Sequence, residues 1–219
     1  MTAYFQTYIE TAKAIVLERG LEWNLNYDEE GRVTKDTRWN LTALVGLLPP
    51  PTIWLGRVGV EANSFAALNE IRSSRDLDPL LACVMSEPWL DLYKAVVIHQ
   101  LCVKKNKPMS GLKMSMPVRQ LAAVAGATPP WRITPELVRD AYNSALADNT
   151  SGKVAMDFKM MIANVLDGQN LCTIPNLARF CTPSSTVKAK EAQQRVDSLR
   201  SRQNTKGSLR RELLVSTQN

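Results

Sequence analysis

The sequence predicts a mainly α-helical protein: a multi-helix bundle, with a candidate for a small β-hairpin near the N-terminus and a basic helix or tail at the C-terminus. Three observations lead to this prediction. Apolar residues recur at three- and four-residue spacing, which is the period of an amphipathic helix. Serine, threonine or aspartate followed by proline opens several of these segments, and glycine closes others. Hydrophobic residues make up 45% of the 219 residues and charged ones 22%, which is ordinary globular composition.

The N-terminal segment is predicted to hold one helix and the candidate hairpin. The helix is expected over residues 3–19, with Thr2 as its N-cap and Gly20 at its end. Apolar residues alternate over residues 21–27, a turn-like DEEG sequence follows, and residues 33–41 return as a second strand. This pattern is typical of a hairpin that packs on a neighbouring element.

Three regions are expected along the chain. The three consecutive prolines Pro49–Pro51 force an extended backbone and mark a boundary after residues 1–50. Residues 51–183 form the helical bundle, and residues 184–219 form a basic helix or tail whose apolar stripe is too thin to be stable alone.

Caps and apolar spacing place the helices of the bundle. One helix opens at Ser86-Glu87-Pro88 and runs to about Val103, where the cationic KKNKP sequence ends it. The MSGLKM sequence is expected to be a loop, and Ser115 and Pro117 open the next helix, which Gly126 closes. The remaining helices are predicted over 63–72 and 78–85, from Thr134-Pro135-Glu136, from Ser151-Gly152 to Gly168, and over 175–180.

The net charge of +6 is divided unevenly along the chain. Residues 92–135 contain seven lysines and arginines and no acidic residue. Residues 184–219 contain eight lysines and arginines and three acidic residues. Such segregation favours a polyanion as partner. The candidate nucleic-acid contacts are Lys104, Lys105, Lys107, Lys113, Arg119 on the outer face of its helix, Arg132, Lys153, and the tail residues Lys188, Lys190, Arg195, Arg200 and Arg202. Trp131 beside Arg132 could stack on a base, but a position in the core is favoured.

No catalytic or cofactor motif can be assembled from the residues. His99 is the only histidine and lies in an apolar helix, so it is interpreted as a core residue rather than a metal ligand. Phosphate-binding glycine loops are absent, and the TSGKV sequence at 150–154 is interpreted as a helix start. Asp28, Glu29 and Glu30 are interpreted as a solvated turn. No metal site, no cofactor and no enzymatic activity are therefore predicted.

The cysteines and the N-terminal sequence indicate where the protein resides. The four cysteines form no CxxC pair and are expected to be reduced thiols. No signal peptide and no membrane span are predicted. A cytoplasmic location follows, in the nucleoid if the protein is bacterial.

Residues 114–183, MSMPVRQ…FCTP, resemble the SAM-like core-binding domain of tyrosine recombinases (integrases). The resemblance rests on helix order, on Arg132–Glu136 as a counterpart of an LTPE-like cap, and on Asn149–Lys153 as a counterpart of an SxxT-like turn. It implies helices that grip duplex DNA. The recombinase catalytic domain has no counterpart, because His99 is followed by Gln-Leu-Cys and nothing after residue 183 matches it. The resemblance therefore implies no strand cleavage by this chain.

The sequence thus predicts a non-catalytic nucleic-acid-binding protein, with double-stranded DNA favoured over RNA, accessory to a recombination or other DNA-processing machine. Two alternatives stay open. One is a helical subunit of a phage or defence assembly that binds RNA or an acidic protein partner. The other is an enzyme built on carboxylates that no motif reveals.

Overall fold

The computed structural model describes residues 1–24, 38–45, 52–55, 70, 73–74, 85–148, 152–183, 196 and 199. The chain divides into two compact units, Met1–Thr182 and Pro183–Asn219. The first unit is mainly helical, as predicted, with one small antiparallel sheet. Its helices and strands, in chain order, are α1 (Ala3–Glu18), β1 (Arg38–Asn40), α2 (Thr42–Val45), β2 (Thr52–Trp54), α3 (Glu87–Ile98), α4 (Pro108–Ala125), α5 (Pro135–Asp148) and α6 (Lys153–Met161).

Helix α1 confirms the prediction at both ends. The hydroxyl of Thr2 accepts a hydrogen bond from the backbone N–H of Phe5 at 3.1 Å, as an N-cap should. The same hydroxyl donates to the backbone oxygen of Leu171 at 3.1 Å. This hydrogen bond joins the start of α1 to a segment 169 positions later in the sequence. Gly20, at φ +69°, follows the helix in the left-handed region that glycine favours.

The small sheet forms, but its strands are not the pair that the sequence predicted. β1 pairs with β2, with Trp39 opposite Ile53. The first four residues of the predicted strand over 21–27 contain a turn instead, and the rest lie outside the described residues. The reason is the side chain of Trp23, whose indole N–H donates to Asp91 of α3 at 2.7 Å and ties this segment to the bundle.

Helix α3 lies at the centre of the first unit. Nine of its twelve residues are buried, so it is apolar on nearly every side except for Lys94. Helices α1 and α4 both pack against it. A π-helical turn, His99–Val103, continues the helix, and the chain leaves it at Lys104 as the sequence predicted.

Helix α4 begins at Pro108 rather than at Ser115, so the predicted MSGLKM loop is helical. Proline is suited to the first helical position, where its missing N–H leaves no hydrogen bond unmade. The sequence interpretation assigned that opening role to Pro117, which instead lies inside the helix. The predicted end at Gly126 is confirmed.

Helices α5 and α6 begin and end close to the predicted positions. The hydroxyl of Thr134 accepts from the N–H of Leu137, and a π-helical turn, Ile162–Asp167, leads from α6 to Gly168. The predicted last helix is a 3₁₀ turn, Leu177–Phe180. The helices predicted over 63–72 and 78–85 fall almost entirely outside the described residues.

Candidate nucleic-acid interface

Four residues, Lys104–Lys107, form the connection between the π-helical turn after α3 and the start of α4; we call them the basic loop. Its backbone is held to α3 by two hydrogen bonds, from Lys104 N–H to His99 O and from Asn106 N–H to Gln100 O, both 2.9 Å long. The side-chain amide of Asn106 also donates to the buried side chain of Gln100 at 2.7 Å. The backbone conformation of the loop is therefore fixed by hydrogen bonds to His99 and Gln100 and not by its lysine side chains.

Lys104, Lys105 and Lys107 are all exposed, so the basic loop presents three cations to solvent. Lys105 has φ +52°, in the left-handed region that a lysine enters at a cost. Such a conformation persists only where the surrounding structure imposes it. The hydrogen bonds of Lys104 and Asn106 on either side supply that constraint.

The basic loop lies at the positive end of a helix dipole. Lys107 is the N-cap of α4, and an ammonium group has no lone pair with which to accept from the first N–H groups of the helix. The first turn of an 18-residue helix carries partial positive charge, and lysines there add to it. A phosphate group is the kind of ligand that such an arrangement attracts.

Arg19 adds a fourth cation to this end of the molecule, and the sequence interpretation missed it. Burial raises the pKa of the Cys102 thiol, and the nearby Arg19 opposes that rise. Arg19 is exposed and follows α1, while Cys102 is two residues before the basic loop. No sequence signal pairs Arg19 with residues more than 80 positions away; only the packing of α1 on α3 does so.

The remaining predicted contacts of the first unit lie apart from the basic loop. Arg132 is exposed in a 3₁₀ turn, Pro130–Arg132, after the far end of α4, and the helix length separates it from the loop by about 27 Å. Lys153 is exposed at the first residue of α6. Lys113 lies in α4, and its side chain is not among those described.

The prediction that Arg119 lies on the outer face of its helix is wrong. Its side chain is 2% exposed, and its guanidinium carbon lies 4.7 Å from the centre of the Tyr93 ring of α3. Helix α4 packs against α3, α5 and α6, so its buried arc is wider than the single apolar stripe that the spacing indicated. Lys94, another of the seven cations between residues 92 and 135, is also buried. The surface charge of this segment is therefore smaller than its sequence suggests.

Trp131 packs in the fold, as the favoured interpretation had it. Its ring meets the ring of Phe5 edge-on, with the centroids 5.1 Å apart. The N–H and the hydroxyl of Thr173 both donate to its backbone oxygen.

The tail residues Lys188, Lys190, Arg195, Arg200 and Arg202 belong to the second unit and lie outside the described part of the chain. In that unit Val196 and Leu199 are helical and are 41% and 58% exposed. They are two of the four residues of the predicted apolar stripe, Val187, Ala192, Val196 and Leu199.

A groove lies at the opposite end of α3 from the basic loop. The groove has a volume of about 180 Å³, and its lining residues include Glu10, Lys13, Glu87 and Asp91. Lys13 pairs with Glu10 at 3.3 Å, and the ammonium group of Lys94 lies 3.5 Å from Asp91. Glu87 and Lys104 are separated by 17 residues of helix and helical turn, or about 25 Å. The groove therefore carries charges of both signs, whereas the basic loop carries only positive ones.

The described residues hold no group of three or more histidine, cysteine, aspartate or glutamate side chains that could bind a metal ion. His99 is half-buried and packs on Tyr8. Cys102, Cys172 and Cys181 are free thiols, and Cys83 lies outside the described ranges. Within those ranges, no helix is long and apolar enough to cross a bilayer.

Comparison with protein-family models, with curated proteins and with solved structures finds no match. The resemblance to the SAM-like core-binding domain therefore stays a prediction.

Proposed function

We propose that this protein binds nucleic acid, duplex DNA in preference to RNA, through phosphate contacts made by the basic loop. The observation that carries this proposal is the placement of Lys104, Lys105 and Lys107, all exposed, on a backbone fixed at the N-terminus of α4. Lysines on a fixed backbone contact phosphates without reading the base sequence. We therefore propose binding that depends little on sequence.

The charge distribution supports an approach of the duplex to one end of α3. The basic loop and Arg19 lie at that end, and all four of their cations are exposed. The groove at the other end carries charges of both signs, because Glu10 pairs with Lys13 and Asp91 with Lys94. A polyanion is thus attracted chiefly to the side of the basic loop.

No catalytic role is proposed for the chain. The resemblance of residues 114–183 to a recombinase core-binding domain supports an accessory role in recombination or another DNA-processing reaction. Incubation of the protein with supercoiled plasmid should leave the topology unchanged. Relaxation that disappears on replacing one tyrosine would contradict a non-catalytic role.

The proposal is tested by fluorescence anisotropy with a labelled DNA duplex and an RNA duplex of the same sequence, each titrated between about 50 and 200 mM salt. We expect log Kd for DNA to rise with log salt, with a slope of about 0.9 per phosphate contacted. A response that does not change with salt would contradict it. Tighter binding to RNA than to DNA would favour the alternative of an RNA-binding subunit.

A further inference from the structure

Arg119 is a buried cation that has no anion as partner among the described residues. Its side chain is 2% exposed, and its Nε atom, which water does not reach, has no hydrogen-bond partner. Among the described residues no carboxylate forms an ion pair with it. Its guanidinium carbon lies 4.7 Å from the centre of the Tyr93 ring, which makes a cation–π contact. A cation–π contact recovers only part of what a guanidinium loses when it leaves water.

Lys94 of α3 is a buried cation with a structural role, and it can be compared with Arg119. Lys94, the residue after Tyr93, is 0% exposed. Its ammonium group lies 3.0 Å from the backbone oxygen of Trp23, 3.0 Å from the Oδ1 atom of Asn24 and 3.5 Å from Asp91. Every direction in which Lys94 can donate is thus supplied with an oxygen. Arg119 has five N–H groups, and the one on Nε is buried without any hydrogen-bond partner.

We propose that Arg119 anchors a binding site for a small oxyanion, a carboxylate or a phosphate, between α3 and α4. The planar guanidinium presents its N–H groups in a fork that matches two oxygens of such an anion. Tyr93 covers one face of the guanidinium, and the unpartnered N–H of Nε lies on its edge, where the ligand would bind. At 2% exposure the side chain is too deep for a duplex backbone, so this site is separate from the basic loop and the inference does not rest on the proposed function.

A second unpartnered atom lies close by in sequence but is not assigned to this site. It is the Oε1 atom of Gln120, which is buried and has no hydrogen-bond partner. Gln120 is rotated by about 100° from Arg119 around the axis of α4, so the two side chains leave the helix in different directions.

The inference is tested on the full chain by thermal unfolding in sodium phosphate, sodium acetate and sodium chloride, at matched ionic strength. Chloride is the control, because it is an anion without the two oxygens that match the geometry of the fork. We expect Tm to rise with phosphate or acetate relative to chloride, by about 5–10 °C at a hundred times Kd, and to increase with the logarithm of the anion concentration above Kd. Acetate alone would identify a carboxylate ligand, and phosphate alone a phosphate ligand.

Two variants complete the test. In Arg119→Met the anion-dependent rise should vanish, and without added anion its Tm should equal or exceed that of the wild type, because an unpaired buried charge has been removed. The exposed Arg139 of α5 gives the matched control, Arg139→Met, which should keep the full rise. DNA binding by Arg119→Met should equal that of the wild type, which separates this inference from the proposed function.

Three results would overturn the inference: no rise in the wild type beyond that in chloride, the same rise in Arg119→Met, or a folded Arg119→Met whose Tm without anion is lower than that of the wild type. If Arg119→Met does not fold, titration calorimetry of the wild type with the same three salts decides, because a real site gives saturable heat with an oxyanion and none with chloride.

Discussion

The rings of Tyr8 and His99 lie almost parallel, with centroids 3.9 Å apart and planes 11° from each other. The Nε2 atom of His99 is also 3.1 Å from the backbone oxygen of Tyr8. This pair joins α1 to the end of α3. The backbone oxygen of His99 accepts from Lys104, so the same residue that contacts α1 also holds the first residue of the basic loop.

The first prediction concerns the pH dependence of stability through His99. Burial lowers the pKa of His99 below its ordinary 6.5, Lys104 lowers it further, and the hydrogen bond to Tyr8 opposes them. As the pH falls through 6.5, the unfolded chain takes up the proton before the folded one does, so the free energy of unfolding decreases. Urea unfolding at about pH 7.5 and about pH 5.5 should show this decrease in the wild type and a smaller one in His99→Phe. An equal decrease in both would contradict the prediction.

The second prediction concerns the buried ammonium group of Lys94. Burial lowers its pKa to about 8 from the ordinary 10.5, although Asp91 acts in the opposite direction. Between these two values the unfolded chain binds more protons, so the free energy of unfolding should rise with pH, by on the order of 3 kcal/mol. Lys94→Met removes this rise. At about pH 7 the variant should be less stable than the wild type by roughly 1–3 kcal/mol, because the backbone oxygen of Trp23 and the Oδ1 atom of Asn24 lose their donor.

Urea unfolding of both proteins from about pH 7 to about pH 10.5 checks the Lys94 prediction, because titrations common to the two cancel in the difference. We expect the wild type to exceed Lys94→Met in the free energy of unfolding by an amount that grows with pH. An excess that stays constant or shrinks with rising pH would show that the ammonium group is not buried.

The third prediction separates stability from binding at Lys105. Glycine adopts φ +52° without the steric cost that lysine has there, but it loses more entropy on folding. The free energy of unfolding of Lys105→Gly should therefore equal that of the wild type or exceed it by up to about 1 kcal/mol. DNA binding should weaken, since one cation of the basic loop is gone. A variant that is less stable, or that binds DNA as tightly as the wild type, would contradict the role given to Lys105.

Much of the helical fold could be predicted from the sequence, because helix ends carry local signals. The caps at Thr2, Thr134 and Gly126 lie where the sequence placed them. The start of α4 could not be located, because Lys107 before Pro108 is not a preferred capping residue, whereas Ser115 before Pro117 is. The strand pairing was missed for a different reason: Trp23 is held by Asp91, 68 positions away, and such a contact leaves no local pattern.

The candidate site was predicted only in part, for the same physical reason. The three lysines of the basic loop follow the end of an apolar helix, and this position alone indicates exposure. The burial of Arg119 depends on helices packing on more than one side of α4, and the approach of Arg19 depends on α1 crossing α3. Charge counted along a sequence cannot distinguish an exposed cation from a buried one.

The fourth prediction concerns the division of the chain after Thr182. Because Met1–Thr182 is a compact unit, a chain that ends at Pro183 should remain folded, with a Tm changed by only a few degrees. Its affinity for DNA should fall, since the removed residues carry a net charge of +5. Circular dichroism and anisotropy on the truncated chain check the two halves of this prediction. Unfolding on truncation would show that the tail is part of the core, and its charges would then be a solvated outer face.

The measurement that tests the basic loop most directly compares two variants of equal net charge. One replaces Lys104, Lys105 and Lys107 with glutamine. The other replaces three exposed cations elsewhere in the first unit, Arg139, Lys159 and Arg179, with glutamine. Both are titrated against the same DNA duplex across a range of salt concentrations, after circular dichroism shows that both are folded.

We expect the basic-loop variant to bind more weakly, with a salt slope reduced by up to about 2.7, or about 0.9 for each phosphate that the loop no longer neutralises. The control variant should keep the slope of the wild type, because its cations contribute only to the general field of the protein. Equal weakening in the two variants would show that binding depends on net charge alone and would contradict a phosphate site at the basic loop.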